Sequence, residues 1–140
     1  MVATLPAPPQ NEVPAMTHEP IETLTALCEI LTRNGLTIAA ARGALAASGD
    51  PLLQRALLVS APDADEPNHV EVTLAPPLDP ARLTAAFGEH TEAPKMHWDA
   101  PTEYLYYPES PANRAFTCAI IARIGEHGAI GAAVRRDPKL

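Results

Sequence analysis

The sequence predicts an α+β domain in which an antiparallel sheet of about five or six strands carries two or three helices on one face. Three observations predict it. Ala115 to Arg136 is the longest apolar run, broken only at Gly125-Glu126-His127-Gly128. Within it Phe116, Cys118, Ile120, Ala122 and Ile124, and then Ile130, Ala132 and Val134, recur at period two, as in two adjacent half-buried strands. His69 to Ala75 alternates in the same way, with Val70, Val72 and Leu74 opposed to Glu71 and Thr73. Ile21, Leu24, Leu27, Cys28 and Leu31 instead recur at helical spacing, as do Leu83, Ala86 and Phe87. Helices joined to antiparallel strands by short connections pack as a layer on the sheet.

At 140 residues and 14.9 kDa the chain fits one domain. Residues 1–18 contain Pro6, Pro8, Pro9 and Pro14 and little that can pack, so they are expected to form an extended or disordered tail ahead of a single domain at 19–140. Pro20 suits a first turn and Asn34-Gly35 a stop, which predicts a helix over 20–33. Thr37 caps a second helix over 38–48, weakened by Gly43 and ended by Gly49-Asp50-Pro51. Strands are expected over 55–60 and 69–75, around the polar loop APDADEPN. Asp79 caps a short helix that Pro80 opens and Gly88 closes. Residues 89–113 carry Pro94, Pro101, Pro108 and Pro111, yet Trp98, Tyr104, Tyr106 and Tyr107 predict strands over 95–98 and 103–107, one of them at a sheet edge where proline is tolerated. The hairpin centred on Gly125 to Gly128 follows.

The stretch Leu78-Asp79-Pro80-Ala81-Arg82-Leu83-Thr84-Ala85-Ala86-Phe87-Gly88-Glu89, followed by Tyr104 to Tyr107, resembles units of β-lactamase-inhibitor-like proteins and of small outer-membrane assembly lipoproteins. In those a small-residue-rich helix ending in Gly precedes an aromatic strand and a hairpin. The resemblance spans about half the chain and implies a fold unit only. The chain departs from those families in showing neither a signal peptide nor a lipoprotein cysteine.

Composition excludes several classes of function. A formal net charge of −7 and a pI near 5.1 remove the attraction that drives nucleic-acid binding, and Arg135-Arg136 with Lys139 is the only basic cluster. The same charge opposes an anionic membrane surface, and no apolar run approaches the roughly 20 residues of a spanning helix. Cys28 and Cys118, both on apolar faces, read as buried free thiols, and with no secretory signal in MVATLPAPPQ the chain is expected in the cytoplasm.

Chemistry-bearing patterns are sparse. His18, His69, His90, His97 and His127 fall in separate elements, and HxxxH, HxH, CxxC, GxSxG and GxGxxG do not occur. No catalytic, cofactor-binding or metal-ligating residue is assigned, and the patterns lend an enzyme no support without excluding one. Asp63, Asp65 and Glu66 read as a charged hairpin tip that discourages edge pairing.

Four of the six aromatic residues lie within ten positions, at Trp98, Tyr104, Tyr106 and Tyr107. Trp and Tyr join large apolar area to a polar tip and dominate binding hot spots. Met96, Trp98, Tyr104 and Tyr106 are therefore the candidate contacts, set against the plainer possibility that Trp98 and Tyr107 complete a core. The leading expectation is a protein-interaction module of adaptor, inhibitor or immunity type acting on a partner with a basic surface. A second is a small-ligand or metal-binding protein, or an enzyme, with a pocket between the first helix and the sheet and His90 or His97 at its mouth. A third is a self-associating subunit, a homo-oligomer joined through an edge strand. The outer residues Thr117, Ala119, Ile121, Arg123 and Ala133 are mostly small or apolar. Their face is accordingly expected to be covered by the 98–107 segment or by a second subunit.

Overall fold

The computed structural model describes residues 19–140, so the tail expected at 1–18 lies outside the described residues. The first helices are α1 (Pro20–Leu31), α2 (Ile38–Ala47) and the single turn α3 (Pro51–Gln54). Strands β1 (Leu57–Val59) and β2 (His69–Leu78) lead to helix α4 (Pro80–Phe87). The chain closes with β3 (Thr91–Glu92), β4 (Thr102–Tyr106), β5 (Phe116–Gly125) and β6 (Gly128–Pro138). All six strands form one antiparallel sheet in the order β1-β2-β6-β5-β4-β3, giving the expected α+β architecture.

The caps form as the sequence predicts. Thr37 Oγ1 accepts from Ala40 N at 3.1 Å, and Asp79 Oδ1 accepts from Ala81 N at 2.9 Å. Each occupies an amide that the first helical turn leaves without an internal partner. A cap at Asp50 starts α3, which sequence reading missed: its Oδ1 accepts from Leu52 N at 2.9 Å. The Thr23 hydroxyl of α1 donates to the other oxygen of the same carboxylate, tying the two helices together inside the protein.

Helix α1 is the central helix of the layer, touching β2, β5, β6 and each of the other helices. Its Leu24, Leu27 and Leu31 are fully buried against Val70 and Val72 of β2, Ile120 and Ala122 of β5, and Val134 of β6. Full burial of each such leucine contributes about 1.5–3 kcal/mol. Two arginines from distant parts of the chain close its C-terminus, where the last carbonyls lack internal partners. Arg136 Nη1 donates to Leu31 O at 2.7 Å and to Arg33 O at 2.8 Å. Arg114 Nη1 donates to Glu29 O at 2.7 Å, and its Nη2 meets the Glu29 carboxylate at 3.0 Å. Hydrogen bonds first from Arg33 and then from Arg114 hold the Glu29 carboxyl below its ordinary range.

Several expectations are corrected. Cys28 and Cys118 are not free thiols; they form a disulfide that joins α1 to β5 across 90 residues of chain. Lys95 to Trp98 is not a strand. The ladder there is shorter, Thr91 and Glu92 pairing with Leu105 and Tyr104, and the chain between Pro94 and Pro101 is loop, since proline supplies no amide to a ladder. Strand β2 continues through Pro76 and Pro77 to Leu78, beyond the expected end at Ala75. The prolines fit because the β1 ladder stops at Glu71 and the β6 ladder has an irregularity between Thr73 and Leu78. Ile130 leaves the core face on which period two places it. A register shift between Arg123 and Ile124 pairs Ile124 with Ala129, so Ala129 is buried and Ile130 is 42% exposed.

Candidate functional site

The loop from Ala93 to Pro101 is built by its ends. Ala93 N donates to Glu103 O at 2.9 Å, continuing the β3–β4 ladder by one bond, and Ala100 N donates to His97 O at 3.0 Å, which turns the loop back toward β4. Between these ties Met96 is 88% and Trp98 91% exposed. Lys95, His97 and Asp99 are exposed beside them, as are Glu89 and Glu92 at the loop's base.

The two tyrosines expected to act with them point the other way. Tyr106 pairs with Ile120 and Tyr104 with Ala122, and both β5 residues are on the helix-covered face. Tyr106 is completely buried, which corrects its assignment as a contact: no partner reaches it without unfolding the sheet. Its hydroxyl lies near Thr84 without a hydrogen bond of ordinary geometry, and burial pushes its pKa up. Tyr104 is half-buried and stacks on His90, with ring centroids 3.9 Å apart and planes 18° apart. His90 thus belongs to the packing beneath β4, with its Nδ1 buried and unpartnered, whereas His97 stands on the outer loop. The two do not share a pocket. A cleft of about 430 Å³ does lie where the start of α1 and α3 meet the end of β2, lined by Pro20, Asp50, Leu74, Pro77 and Arg82, but neither histidine stands at it.

The face of the sheet opposite the helices is open. It carries a cleft of about 590 Å³ whose lining includes Leu57, Thr73, Ile121, Arg123, Ile130 and Ala133. Several of its polar groups are partnered in place: His69 Nε2 lies 2.9 Å from a Glu71 carboxylate oxygen, and Arg135 Nε meets Asp137 at 2.7 Å, a hydrogen bond that raises the arginine pKa. Residues 98–107 cover only one end of this face, where Ala119 is buried with Arg135 and Tyr107 beside it; the middle stays open, because Trp98 extends into solvent and Tyr106 turns inward.

Among the described residues no three His, Cys, Asp or Glu side chains converge as metal ligands, and no helix is long and apolar enough to cross a membrane. The Asp63 to Glu66 tip is used structurally, Asp65 O accepting from Ile38 N at 2.9 Å and Glu66 lying 3.5 Å from Arg136. Comparison of the chain with protein-family models, with curated proteins and with solved structures finds no match.

Proposed function

We propose that the chain is a non-enzymatic protein-interaction module of adaptor, inhibitor or immunity type, and that the Met96–Trp98 loop is its principal contact. The observation that carries this reading is the 91% exposure of Trp98, the only tryptophan, beside an equally bare Met96. An indole left in water forfeits the largest apolar burial available to any side chain, and Trp is the residue most enriched among interface hot spots. Methionine adapts its unbranched side chain to irregular partner surfaces. Exposed Glu89, Glu92 and Asp99 frame the pair with negative charge, so the matching partner is basic, and that complementarity supplies orientation and on-rate.

The Cys28–Cys118 bond changes the proposed setting. The cytoplasmic expectation rested on the lack of a secretory signal in MVATLPAPPQ and agreed with free thiols, whereas a disulfide persists in an oxidising compartment; the interaction is proposed to occur there.

The test is a double substitution, Met96→Ala with Trp98→Ala, compared with the native chain in titrations against the partner captured from the host. Loss of hot-spot contacts of about 2–4 kcal/mol predicts affinity lower by roughly 30-fold or more, with melting temperature unchanged because neither side chain packs on the protein. Unchanged affinity refutes the assignment.

A further inference from the structure

The open face of the sheet lacks the composition of a surface made for water. Across its middle, in one cross-strand row, stand Leu57, Glu71, Ala133, Ile121 and Leu105. A half-solvated antiparallel sheet ordinarily alternates apolar inward with polar outward, but four of these five outward positions are apolar. In the adjacent row Glu103 and Arg123 are register partners on β4 and β5. Neither forms an ion pair, with the other or with any other described residue. They differ in this from Arg135, which pairs with Asp137 on the same face.

We propose that this face is the interface between two copies of the chain, related by a two-fold axis along the β4–β5 seam. An isologous interface must be complementary to itself, each position meeting its counterpart on the other side of the axis. The outward positions of these two strands satisfy that requirement pair by pair. β4 presents Leu105 and Glu103, and β5 presents Ile121 and Arg123 at the same two levels. Turning a second copy over about the seam sets Ile121 against the second copy's Leu105 and Arg123 against its Glu103, and the axis repeats both contacts. The unpaired charges thus find partners of opposite sign, and the apolar row leaves water. A partner of unrelated sequence would have to supply the same pattern independently, whereas a second copy contains it.

The dimensions suit a weak dimer. β3 to β6, the four strands that overlap in this arrangement, extend about 15–20 Å across at the usual spacing of about 4.8 Å; β5 and β6 run about 30–35 Å, but β4 has only five residues and β3 two. Because β5 faces the five-residue β4 of the second copy and β6 its two-residue β3, the flat strand overlap is on the order of 200 Å² per copy. That is below the roughly 800 Å² per partner of a standard interface, so the association is expected to be weak and concentration-dependent. Aligned face-to-face packing of two twisted sheets gives a sandwich with the familiar separation of about 10 Å. The inference does not rest on the role of the Met96–Trp98 loop. If both hold, one assembly presents two such loops and gains avidity without new contacts.

The experiment is sedimentation or light scattering of the full chain across a concentration series, with melting curves as a control for folding. The native chain is expected at twice its 14.9 kDa mass. Ile121→Arg is expected to give monomer. Arg123→Glu and Glu103→Arg, each placing like charges in contact twice, are each expected to weaken association by about 10-fold or more, and combining the two exchanges is expected to restore it. Arg123 is exposed, so its exchange decides the matter if Ile121→Arg fails to fold. A native chain that stays monomeric throughout overturns the proposal, whatever else covers the face. A dimer indifferent to the Arg123 exchange overturns it as well.

Discussion

The guanidinium of Arg136 lies inside the protein, 3.4 Å from the centroid of the Phe116 ring, and donates to two carbonyls at the end of α1. Replacing it by Met keeps most of the apolar stem and removes every donor. Two acceptors are then left dry, which costs about 1–3 kcal/mol each before relaxation, so Arg136→Met is expected to lower unfolding free energy by about 3 kcal/mol in urea titrations. A loss below about 1 kcal/mol would mean that water replaces the guanidinium. From sequence Arg136 belongs to a basic cluster with Arg135 and Lys139. Alternation alone separates it from Arg135, because Val134 and Arg136 share a face. What alternation cannot supply is the identity of the element above, here a helix end offering carbonyls to a cation. Tyr106 teaches the same point. Period two puts it with Tyr104, but only its register with Ile120 makes that face the core.

At the scale of elements, the β5–β6 hairpin was legible because three signals coincide: two alternating apolar arms, glycines at the break, and a two-residue Glu126-His127 connection joining the paired Gly125 and Gly128. Helix α4 was equally legible, since cap, first-turn proline and terminal glycine agree. The failures are where pattern and pairing part. The bulge at Arg123/Ile124 exchanges Ala129 for Ile130, and residues 95–98 alternate with no strand to receive them. Two glycines test this account in opposite directions. Gly128 has φ 127° and a Cβ there would lie 2.7 Å from Leu78 O, so both backbone and space forbid a side chain. Gly43 lies within α2 with open space around its Cβ position. Gly128→Ala is expected to destabilise by at least about 1 kcal/mol, and Gly43→Ala to stabilise by about 0.5–1 kcal/mol through helix propensity and reduced unfolded-state entropy. Melting curves of the two single variants check this; equal shifts of the same sign contradict it.

For the molecule as a whole, the Cys28–Cys118 bond sets how much of the chain moves together. It closes a loop spanning 90 residues, from α1 to the middle of the sheet, and so encloses most of the described fold. Constraining a loop of that length restricts the unfolded chain far more than the folded one, a stabilisation of about 2–5 kcal/mol when native geometry is undisturbed. The pairing was not visible in the sequence because each cysteine sits in an apolar pattern that a buried thiol satisfies equally well. Only the packing of α1 on β5 brings them together. Cys28→Ser with Cys118→Ser, or reduction of the native chain, is expected to lower the melting temperature by on the order of 10 °C. The native chain should show no thiol reactive toward an alkylating reagent until reductant is added, among the described residues having no free cysteine. The shift should be independent of protein concentration, whereas stabilisation by dimerisation grows with it, so a concentration series separates the two contributions. A thermal transition unmoved by reductant, with both thiols alkylated beforehand, refutes the bond and removes the argument for an oxidising compartment.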